Sequence, residues 1–510
     1  MVKARLHRQM RTFRLVFAAC LLLSVFGTAK CGIPIIGGIL NAIAKRKQPD
    51  PAVRAALESI EKQFSLDSEK LFKIKEEMVH QMKAGLQKNG NSPMLMLPTH
   101  LRKLPSGGEQ GSFLALDLGG TNFRVLKVNL QGHGKVDVKQ AKHRIAESMM
   151  YAPGKELFSF FAEKVKEMVP EAVGKDCPRV PLGFTFSFPV QQSAINVGRL
   201  VRWTKGFTCP DVVGEDVVAL LQQALDDHDV NVEVVALVND TPGTMFAGAY
   251  KNPKVAAGLI LGTGTNLCFK QSVSKASKLY EAPASSSRPS VVTWFQAPYA
   301  GKHEEQIINT EWGGFDSTMR VLPLLAYDVM LDAKSVNPGE HLYEKMISGM
   351  FLGELVRLVA SELIAKELLF EGQVYDCFIK PGTFTTEVMS KLECNNNMNN
   401  CKKILREIGI DKVSNQDVDV LKKICSFVSS RAARLTAAGL AAVAEYLNKC
   451  DDCLVAVDGT LFLKYPKLEG RIESSLRELL GAKMGVRFLP ASDGSGVGAA
   501  LAAAAATQGA

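Results

Sequence analysis

The sequence predicts an α/β protein of two lobes, with mixed sheets flanked by helices, behind an N-terminal leader. Three observations predict this class. The chain has 510 residues and is 46% hydrophobic, which is more than one small core requires. Strand and helix patterns follow one another early in the chain. A glycine turn, LGGTN at 118–122, recurs as LGTGTN at 261–266, which indicates a duplicated unit.

The strand and helix patterns lie between residues 112 and 240. SFLALDL, FRVLKVNL and VDVKQAKHRI read as three successive strands, and ELFSFFAEKVKEMV places its apolar residues on one helical face. PLGFTFSFPV alternates large apolar residues with Gly183, Thr185 and Ser187, and this small, polar side is predicted to line a cleft. VVALVND is a continuous apolar run typical of a buried parallel strand, and it ends in Asn239 and Asp240. Ligands bind at such strand ends in open α/β sheets.

The positive charge of the chain is confined to the leader. Residues 1–48 hold nine Lys and Arg and no Asp or Glu, so 52 basic and 52 acidic residues remain in the body. A neutral body argues against a nucleic-acid partner, since binding to a phosphate backbone gains affinity from a basic face.

The leader also has the pattern of a targeting segment. A basic start precedes the apolar run from Leu15 to Ala29, and Gly27 and Ala29 have the spacing of a signal-peptidase site. The run is shorter than the ~20 residues that span a bilayer, but GIPIIGGILNAIA follows closely and extends it. The leader is therefore interpreted either as a cleaved signal peptide or as a membrane anchor. Either interpretation predicts a location in the secretory route, in an organelle or at a membrane. A disordered basic tail on a cytoplasmic protein is the alternative.

The two glycine turns predict a phosphate site. Paired glycines let backbone N–H groups approach an anion, and the adjacent threonine hydroxyl adds a donor. A tight hairpin alone explains one copy, but the recurrence, with Asp117 before the first copy, favours phosphate binding. The sequence contains no GxxxxGK motif followed by Ser or Thr. Its one GxGxxA match, at residues 494–499, lies too near Ala510 for a dinucleotide-binding unit.

Four further segments complete a constellation of motifs: FSFP at 186–189, WTKGF at 203–207, VNDTPGT at 238–244 and INTEWGGF at 308–315. Together with the two glycine turns, they resemble the hexokinase family over residues 55–505. The resemblance implies the actin/hexokinase fold, with two lobes around a deep cleft. It implies a small lobe of residues 110–238, joined by the C-terminal helix 493–510, and a large lobe of residues 49–109 and 239–492.

The implied activity is the ATP-dependent phosphorylation of a hexose, most simply glucose, at its 6-hydroxyl, which is the first step of glycolysis. In this resemblance Asp240 is the general base and Lys205 neutralises charge on the transferred phosphoryl group. The implied sugar contacts are carboxylate, amide, hydroxyl and aromatic residues: Ser187, Phe188, Thr204, Lys205, Asn239, Asp240, Asn266, Glu311 and Glu344. Carboxylates and amides suit a sugar, because they pair with hydroxyls and reject analogues that lack one.

The nucleotide contacts implied by the resemblance are small, polar or glycine residues. They are Asp117, which would hold Mg²⁺ through water, and Gly119, Gly120, Thr121, Asn122, Arg124, Gly262, Thr263, Gly264, Thr386, Ser390, Gly459 and Thr460. Two positions depart from the pattern of the family. Leu463 stands where some relatives carry a lysine, with Lys464 one place later. Pro242 replaces a common valine, and we expect Thr241 to cap the next helix with Pro242 as its first residue.

The predicted partners are therefore a hexose and ATP with Mg²⁺, together with a membrane if the leader is an anchor. Two alternatives remain open. A hexose sensor would keep the sugar pocket without catalysis, although the presence of Asp240, Lys205 and both glycine turns argues against it. A kinase for a different small sugar would share all these motifs.

Overall fold

The computed structural model describes residues 50–87, 90–119, 122–174, 177–203, 206–272, 276, 305–491 and 493–508. The described residues from Ala56 onward belong to one compact unit. The leader of residues 1–48 lies outside the described residues, as do four predicted site residues: Gly120, Thr121, Thr204 and Lys205.

One sheet has five strands, all between residues 110 and 238. Its order is β4–β3–β2–β5–β8, with antiparallel pairing among the first three strands and parallel pairing of β5 with β2 and β8. The first three strands therefore form a meander, and β5 and β8 follow after helices, as parallel pairing requires. The strands are β2 (Gln110–Leu118), β3 (Asn122–Gln131), β4 (Val136–Arg144), β5 (Val180–Phe186) and β8 (Val232–Val238).

A second sheet has six strands from the remaining part of the chain. Its order is β1–β11–β10–β9–β12–β13, and β9 and β10 pair antiparallel around the second glycine turn. The strands are β1 (Leu97–Pro98), β9 (Val255–Leu261), β10 (Thr265–Ser272), β11 (Glu305–Asn309), β12 (Cys453–Asp458) and β13 (Val486–Pro490). A separate hairpin is formed by β6 (Val190–Ala194) and β7 (Val197–Leu200). The α/β class with mixed sheets is thus confirmed, while the exact lobe boundaries stay a prediction.

Helices flank both sheets and follow the apolar periodicity of the sequence. In the helix that begins at Gly154, Leu157, Phe158, Phe161 and Val165 are buried, as their spacing predicts. The helices are α1 (Pro51–Phe64), α2 (Ser68–Gly85), α3 (Glu147–Met150), α4 (Gly154–Met168), α5 (Val217–Asp227), α6 (Asp240–Lys251), α7 (Ala326–Ala333), α8 (Leu342–Ile347), α9 (Leu352–Ala365), α10 (Asp376–Ile379), α11 (Thr386–Cys394), α12 (Met398–Glu407), α13 (Asn415–Tyr446), α14 (Thr460–Lys464), α15 (Leu468–Leu480) and α16 (Gly494–Gln508). Within the described ranges, every helix is too short or too polar to cross a bilayer.

The C-terminal helix α16 packs directly on the five-stranded sheet. A Cβ atom on Gly183 of β5 would lie 2.0 Å from the carbonyl oxygen of Ala499, so only glycine permits this approach. Thr185 Oγ1 donates to the carbonyl oxygen of Ser495 at 2.9 Å. The prediction that Gly183 and Thr185 line a cleft was therefore wrong, because α16 covers this side of β5. The alternation of β5 was correctly predicted, but not the element that covers its small side.

Candidate active site

The end of β8 places Asn239 and Asp240 at the start of helix α6. Asn239 has extended backbone and its Oδ1 accepts a hydrogen bond from Thr241 N at 3.1 Å, so Asn239 caps the helix. The expected cap by Thr241 was wrong, because the helix begins two residues before Pro242. The Thr241 hydroxyl instead donates to Asp240 Oδ1 at 3.1 Å. A half-buried carboxylate thus stands at a helix N-terminus, where the helix dipole favours negative charge.

The adjacent ends of β10 and β11 bring two amides and a carboxylate together. Asn266 Nδ2 donates to Asn309 Oδ1 at 2.7 Å and to Glu311 Oε1 at 3.0 Å. Asn309 Nδ2 donates to the same Glu311 oxygen at 2.7 Å. Asn266 Oδ1 in turn accepts from the backbone N–H of Glu311 at 3.1 Å. Asn266 and Glu311 were predicted but Asn309 was not, although it lies two residues before Glu311 in the INTEWGGF motif and at the end of β11.

Glu311 is held in a conformation and an environment that few glutamates adopt. Its backbone is left-handed, with φ 52° and ψ 46°, at the entrance to the 3₁₀ turn Trp312–Gly314. Burial raises the pKa of its carboxyl to about 7, and the nearby charges of Asp240 and Glu344 add to this effect, against the Asn309 and Asn266 hydrogen bonds. Backbone strain and a displaced pKa are features that concentrate at functional sites.

Glu344 on α8 fits between two glycine backbones. Its Oε2 accepts from the backbone N–H of Thr265 at 2.9 Å. A Cβ atom on Gly264 would lie 2.9 Å from that oxygen, and one on Gly313 would lie 3.2 Å from Glu344 Cβ. Gly264, predicted to bind phosphate, thus lies against a predicted sugar contact. The glycine turn makes room for the carboxylate as well as forming a hairpin.

A small cavity of about 20 Å³ is lined by residues of both sheets. Phe188 and Asn239 follow strands of the five-stranded sheet, and Asn309 and Glu311 belong to the other side. The ring of Phe188 also packs against Trp203 and Phe207, with ring centroids 4.9 and 5.3 Å apart, while Ser187 next to it is buried. The structure therefore brings the described members of the predicted sugar set to the region where the two sheets meet.

The first glycine turn leads into an ion network that joins β2, β3 and α16. The guanidinium of Arg124 contacts Asp117 Oδ2, with its Nε at 3.1 Å, and also contacts Asp493. Ser495 Oγ donates to the same Asp117 oxygen at 2.8 Å. Asp117 is almost fully buried, whereas Gly119, whose added Cβ would meet nothing within 4 Å, faces open space. Asn122 begins β3 directly after the turn. Asp493 and Ser495 were not predicted, because the sequence separates them widely from Asp117.

A second cavity, of about 540 Å³, lies beside the second glycine turn. It is lined by Gly262, Thr263, Thr386, Ser390 and Thr460, all of them predicted nucleotide contacts. Its lining includes Lys464 and Tyr465, and Leu463 is partly exposed to solvent instead. Lys464, which stands one position later than the lysine of some relatives, therefore still lines this cavity. A volume of a few hundred Å³ is typical of small-molecule sites.

Asp458 and Gly459 lie at the end of β12, beside the second glycine turn and the start of α16. Gly459 has φ 113°, and a Cβ on it would lie 2.4 Å from the carbonyl oxygen of Leu261, so no other residue fits there. Asp458 accepts hydrogen bonds from the backbone N–H groups of Gly459 and Gly494. Burial raises the pKa of the Asp458 carboxyl. Asp458 was absent from the predicted site.

Comparison with known proteins gives consistent matches over the whole described body. Two family models described as hexokinase match residues 56–250 and 256–505. Hexokinase-1 of Schizosaccharomyces pombe is 36% identical over 454 residues, which cover 88% of this chain and 90% of that protein. Hexokinase-1 of Oryza sativa subsp. japonica is 39% identical over 460 residues, which cover 86% and 88%.

A solved structure agrees with these sequence matches. The hexokinase of Schistosoma mansoni, complexed with glucose, superposes with a TM-score of 0.79 at 35% identity and covers 89% of this chain and 99% of its own. The two mixed sheets flanked by helices, together with these matches, define a phosphotransferase with the actin/hexokinase fold. The chain belongs to the hexokinase family, and the predicted resemblance is confirmed.

Proposed function

We propose that this hexokinase transfers the γ-phosphoryl group of ATP to the 6-hydroxyl of glucose, with Asp240 as the general base. The observation that carries the proposal is the convergence of three carboxylates, Asp240, Glu311 and Glu344, on one site. Burial raises the pKa of Glu311, and the charges of Asp240 and Glu344 raise it further, which shows that the three carboxyl groups lie near one another. A cluster of like charges is costly unless a ligand with several hydroxyl donors, such as a hexose, pairs with them.

The role of Asp240 follows from its position. Its carboxylate stands at a strand end, its Oδ1 is oriented by the Thr241 hydroxyl, and its charge is favoured by the N-terminus of α6. A base held in this way takes the proton from the sugar hydroxyl as that oxygen attacks phosphorus. Such catalysis contributes about 100- to 10,000-fold to the rate. Lys205, which lies outside the described residues, is proposed to neutralise charge on the phosphoryl group.

The amide and carboxylate network provides the sugar contacts. Asn266, Asn309 and Glu311 orient one another, so each presents its remaining donors or acceptors in a fixed direction. A preorganised site of this kind rejects a sugar that lacks one hydroxyl, because a buried polar group is then unpaired. Glu344 Oε2 accepts a hydrogen bond from Thr265 N, which fixes the position of this carboxylate.

ATP is proposed to occupy the cavity of about 540 Å³, with its phosphates directed toward the two glycine turns. Gly459, next to Thr460 of this cavity, lies against Gly262 of the second glycine turn, and Asp458 accepts from Gly494 N, next to the Asp493 that contacts Arg124. Arg124 is a further donor for phosphate oxygens, since guanidinium groups match them in geometry.

The described residues around Asp117 are compatible with a Mg²⁺ ion that is bound mainly by the phosphates of ATP. Arg124 and Ser495 both contact Asp117 Oδ2, so among the described residues Oδ1 has no hydrogen-bond donor. No cluster of three or more His, Cys, Asp or Glu side chains with metal-binding geometry occurs in the described part of the chain. Mg²⁺ retains several waters and needs one or two carboxylates besides phosphate oxygens, so Asp117 would suffice. Bound there, the ion would neutralise charge on the phosphates.

A panel of sugars tests the function directly. Purified protein with Mg-ATP is offered glucose, fructose, mannose, galactose, N-acetylglucosamine and glucose 6-phosphate, and ADP release is followed. We expect turnover with glucose and no turnover with 6-deoxyglucose, which lacks the acceptor hydroxyl. Binding of glucose without ADP release would indicate a sensor, and turnover confined to another sugar would indicate a different substrate.

A further inference from the structure

An arginine on one side of the site contacts a histidine and a glutamate on the other. Arg202 follows strand β7, and its Nη1 donates to Glu340 Oε2 at 2.7 Å. Its Nη2 is 2.8 Å from His341 Nε2. Glu340 and His341 directly precede helix α8, which carries Glu344. This contact joins the β6–β7 hairpin region to the helix that holds a predicted sugar contact.

The contact with Arg202 fixes where the proton of His341 lies. A guanidinium nitrogen only donates, so His341 Nε2 must accept and the ring proton of the neutral histidine must lie on Nδ1. Nδ1 is 3.6 Å from Glu344 Oε1, while Glu344 Oε2 accepts from Thr265 N. We call Arg202, His341, Glu344 and Thr265 the polar chain. Hydrogen bonds form its first and last contacts, whereas the neutral His341 ring only lies beside Glu344 Oε1, at a distance longer than a hydrogen bond. Thr265 N thus holds one oxygen of the Glu344 carboxylate, and the His341 ring limits the space on the side of the other.

The backbone around His341 is built to permit this chain. His341 has left-handed backbone, with φ 54° and ψ 37°, which a residue with a Cβ adopts only at a cost. A Cβ on Gly313 would lie 3.0 Å from His341 Nδ1, so glycine at that position leaves room for the ring. Strain of this kind persists where the surrounding structure enforces it, and it is a signal for function.

We propose that Arg202 and His341 are positioning residues that hold the Glu344 carboxylate in its sugar-binding orientation through the Arg202–His341–Glu344 contact. The proposal rests on the proposed function, because Glu344 is a sugar contact only there. Neither residue touches the transferred phosphoryl group. Both act through Glu344, so they affect the affinity for glucose far more than the rate of the chemical step.

The charges around His341 favour the neutral ring that the polar chain needs. The charged groups that face it are Arg202 across the contact, Glu340 before it, and Glu344 and Lys345 on its own helix. Burial, the largest effect, lowers the pKa of His341, and Arg202 and Lys345 lower it further against the two glutamates. Protonation at acid pH would place a cation beside Arg202 and remove its acceptor. The Arg202–His341 hydrogen bond therefore needs the neutral ring and is lost on acidification, when His341 pairs with the glutamates instead.

The test uses glucose affinity in the absence of ATP, measured by calorimetry or by the fluorescence of Trp203 beside Arg202. His341→Phe removes the acceptor and Arg202→Met removes the donor. His341→Gln keeps an acceptor and a donor but cannot titrate. Arg199→Met is the matched control, since Arg199 is exposed on the same hairpin and donates to Gly214 O instead. Melting curves of all variants verify folding.

We expect His341→Phe and Arg202→Met to raise both the glucose Kd and KM about tenfold, as loss of a charge-assisted hydrogen bond does. Their kcat and KM for ATP stay within about twofold, and Arg199→Met behaves as the wild type. The glucose Kd of the double variant exceeds that of the worse single variant by no more than about twofold, because both changes break the same contact. His341→Gln recovers most of the affinity.

Acid titration supplies an independent measurement that does not depend on the folding of His341→Phe. Because burial lowers the pKa of His341, the titration runs from pH 7.5 down to about pH 4.5, and over this range the glucose Kd of the wild type rises at least about threefold more than that of His341→Gln. Equal pH profiles, unchanged affinity in Arg202→Met, or equal losses in the Phe and Gln variants would overturn the proposal. Tight glucose binding without ADP release in the wild type would overturn the proposed function but not this one.

Discussion

Asn309 Nδ2 donates a hydrogen bond of 2.7 Å to Glu311 Oε1, and yet the pKa of that carboxyl is raised to about 7. The hydrogen bond alone would favour the ionised form and lower the pKa. Burial and the charges of Asp240 and Glu344 outweigh it. In the absence of sugar, Glu311 therefore retains its proton over a pH range in which an ordinary glutamate is ionised.

The first prediction concerns the pH dependence of stability. An unfolded glutamate releases its proton near pH 4.5, whereas folded Glu311 keeps it until about pH 7. Between these values the native state binds more protons, so the contribution of Glu311 to the free energy of unfolding falls as pH rises, by about 3 kcal/mol in total. In the Glu311→Gln variant, we expect this fall in the free energy of unfolding with pH to be absent. Urea unfolding at pH 4.5 to 7.5 measures this fall, with Glu163→Gln on the exposed face of α4 as the control. Parallel curves for the wild type and Glu311→Gln would refute the prediction.

The second prediction tests the general base. Asp240→Ala should lower kcat by at least about 100-fold, because proton transfer is lost in the transition state. Glucose binding should persist at reduced affinity, since the amide network of Asn266 and Asn309 is intact. Steady-state kinetics and calorimetry measure the two effects. Asp227→Ala, on the exposed face of α5, is the control. Retention of more than about a tenth of the wild-type kcat would exclude Asp240 as the base.

The third prediction separates metal binding from ion pairing at Asp117. Asp117→Asn should raise the Mg²⁺ concentration for half-maximal velocity about tenfold or more and leave the glucose Kd unchanged. Asp493→Asn is the matched variant, because it also removes a carboxylate from Arg124 but is more exposed. A Mg²⁺ titration at saturating glucose distinguishes them. If both variants shift the titration equally, Asp117 acts only as a partner for Arg124.

The fourth prediction concerns the packing of α16 on β5. Gly183→Ala places a Cβ 2.0 Å from the carbonyl oxygen of Ala499, and backbone must move to admit it. We expect destabilisation of about 3 kcal/mol or more. Gly470→Ala in helix α15 is the control, since its Cβ would meet nothing within 4 Å, and it should stabilise by about 0.5–1 kcal/mol. Urea unfolding compares them, and equal effects in the two variants would contradict the packing argument.

The fifth prediction concerns the leader, which we propose directs the protein to a membrane or the secretory route. Deletion of residues 1–48 should leave kcat and KM within about twofold, because the proposed site residues lie between Asp117 and Asp493. Fusion of these residues to a reporter should move it to a membrane or organelle fraction. Cleavage near Ala29 would favour a signal peptide over an anchor. A reporter that stays diffuse and is fully released by carbonate would refute targeting.

Local patterns in the sequence determined the class of the fold and the centre of the site. The alternation in SFLALDL and FRVLKVNL and the turn LGGTN together specify a hairpin, because strand period and turn chemistry act over a few residues. Asn239 and Asp240 could be located for the same reason, since the end of an apolar strand is visible in the chain. The motifs that surround these two residues indicated the hexokinase family.

Tertiary structure alone decided which distant residues meet. Ser495 and Asp117 are separated by 378 positions, and Arg202 and His341 by 139, so no local pattern relates them. The alternation of β5 gave the small side of the strand, but only packing decided that α16 covers it. The pKa of Glu311 likewise depends on burial and on charges from other elements. Such contacts arise from the burial of whole elements against each other, which a periodic sequence pattern does not encode.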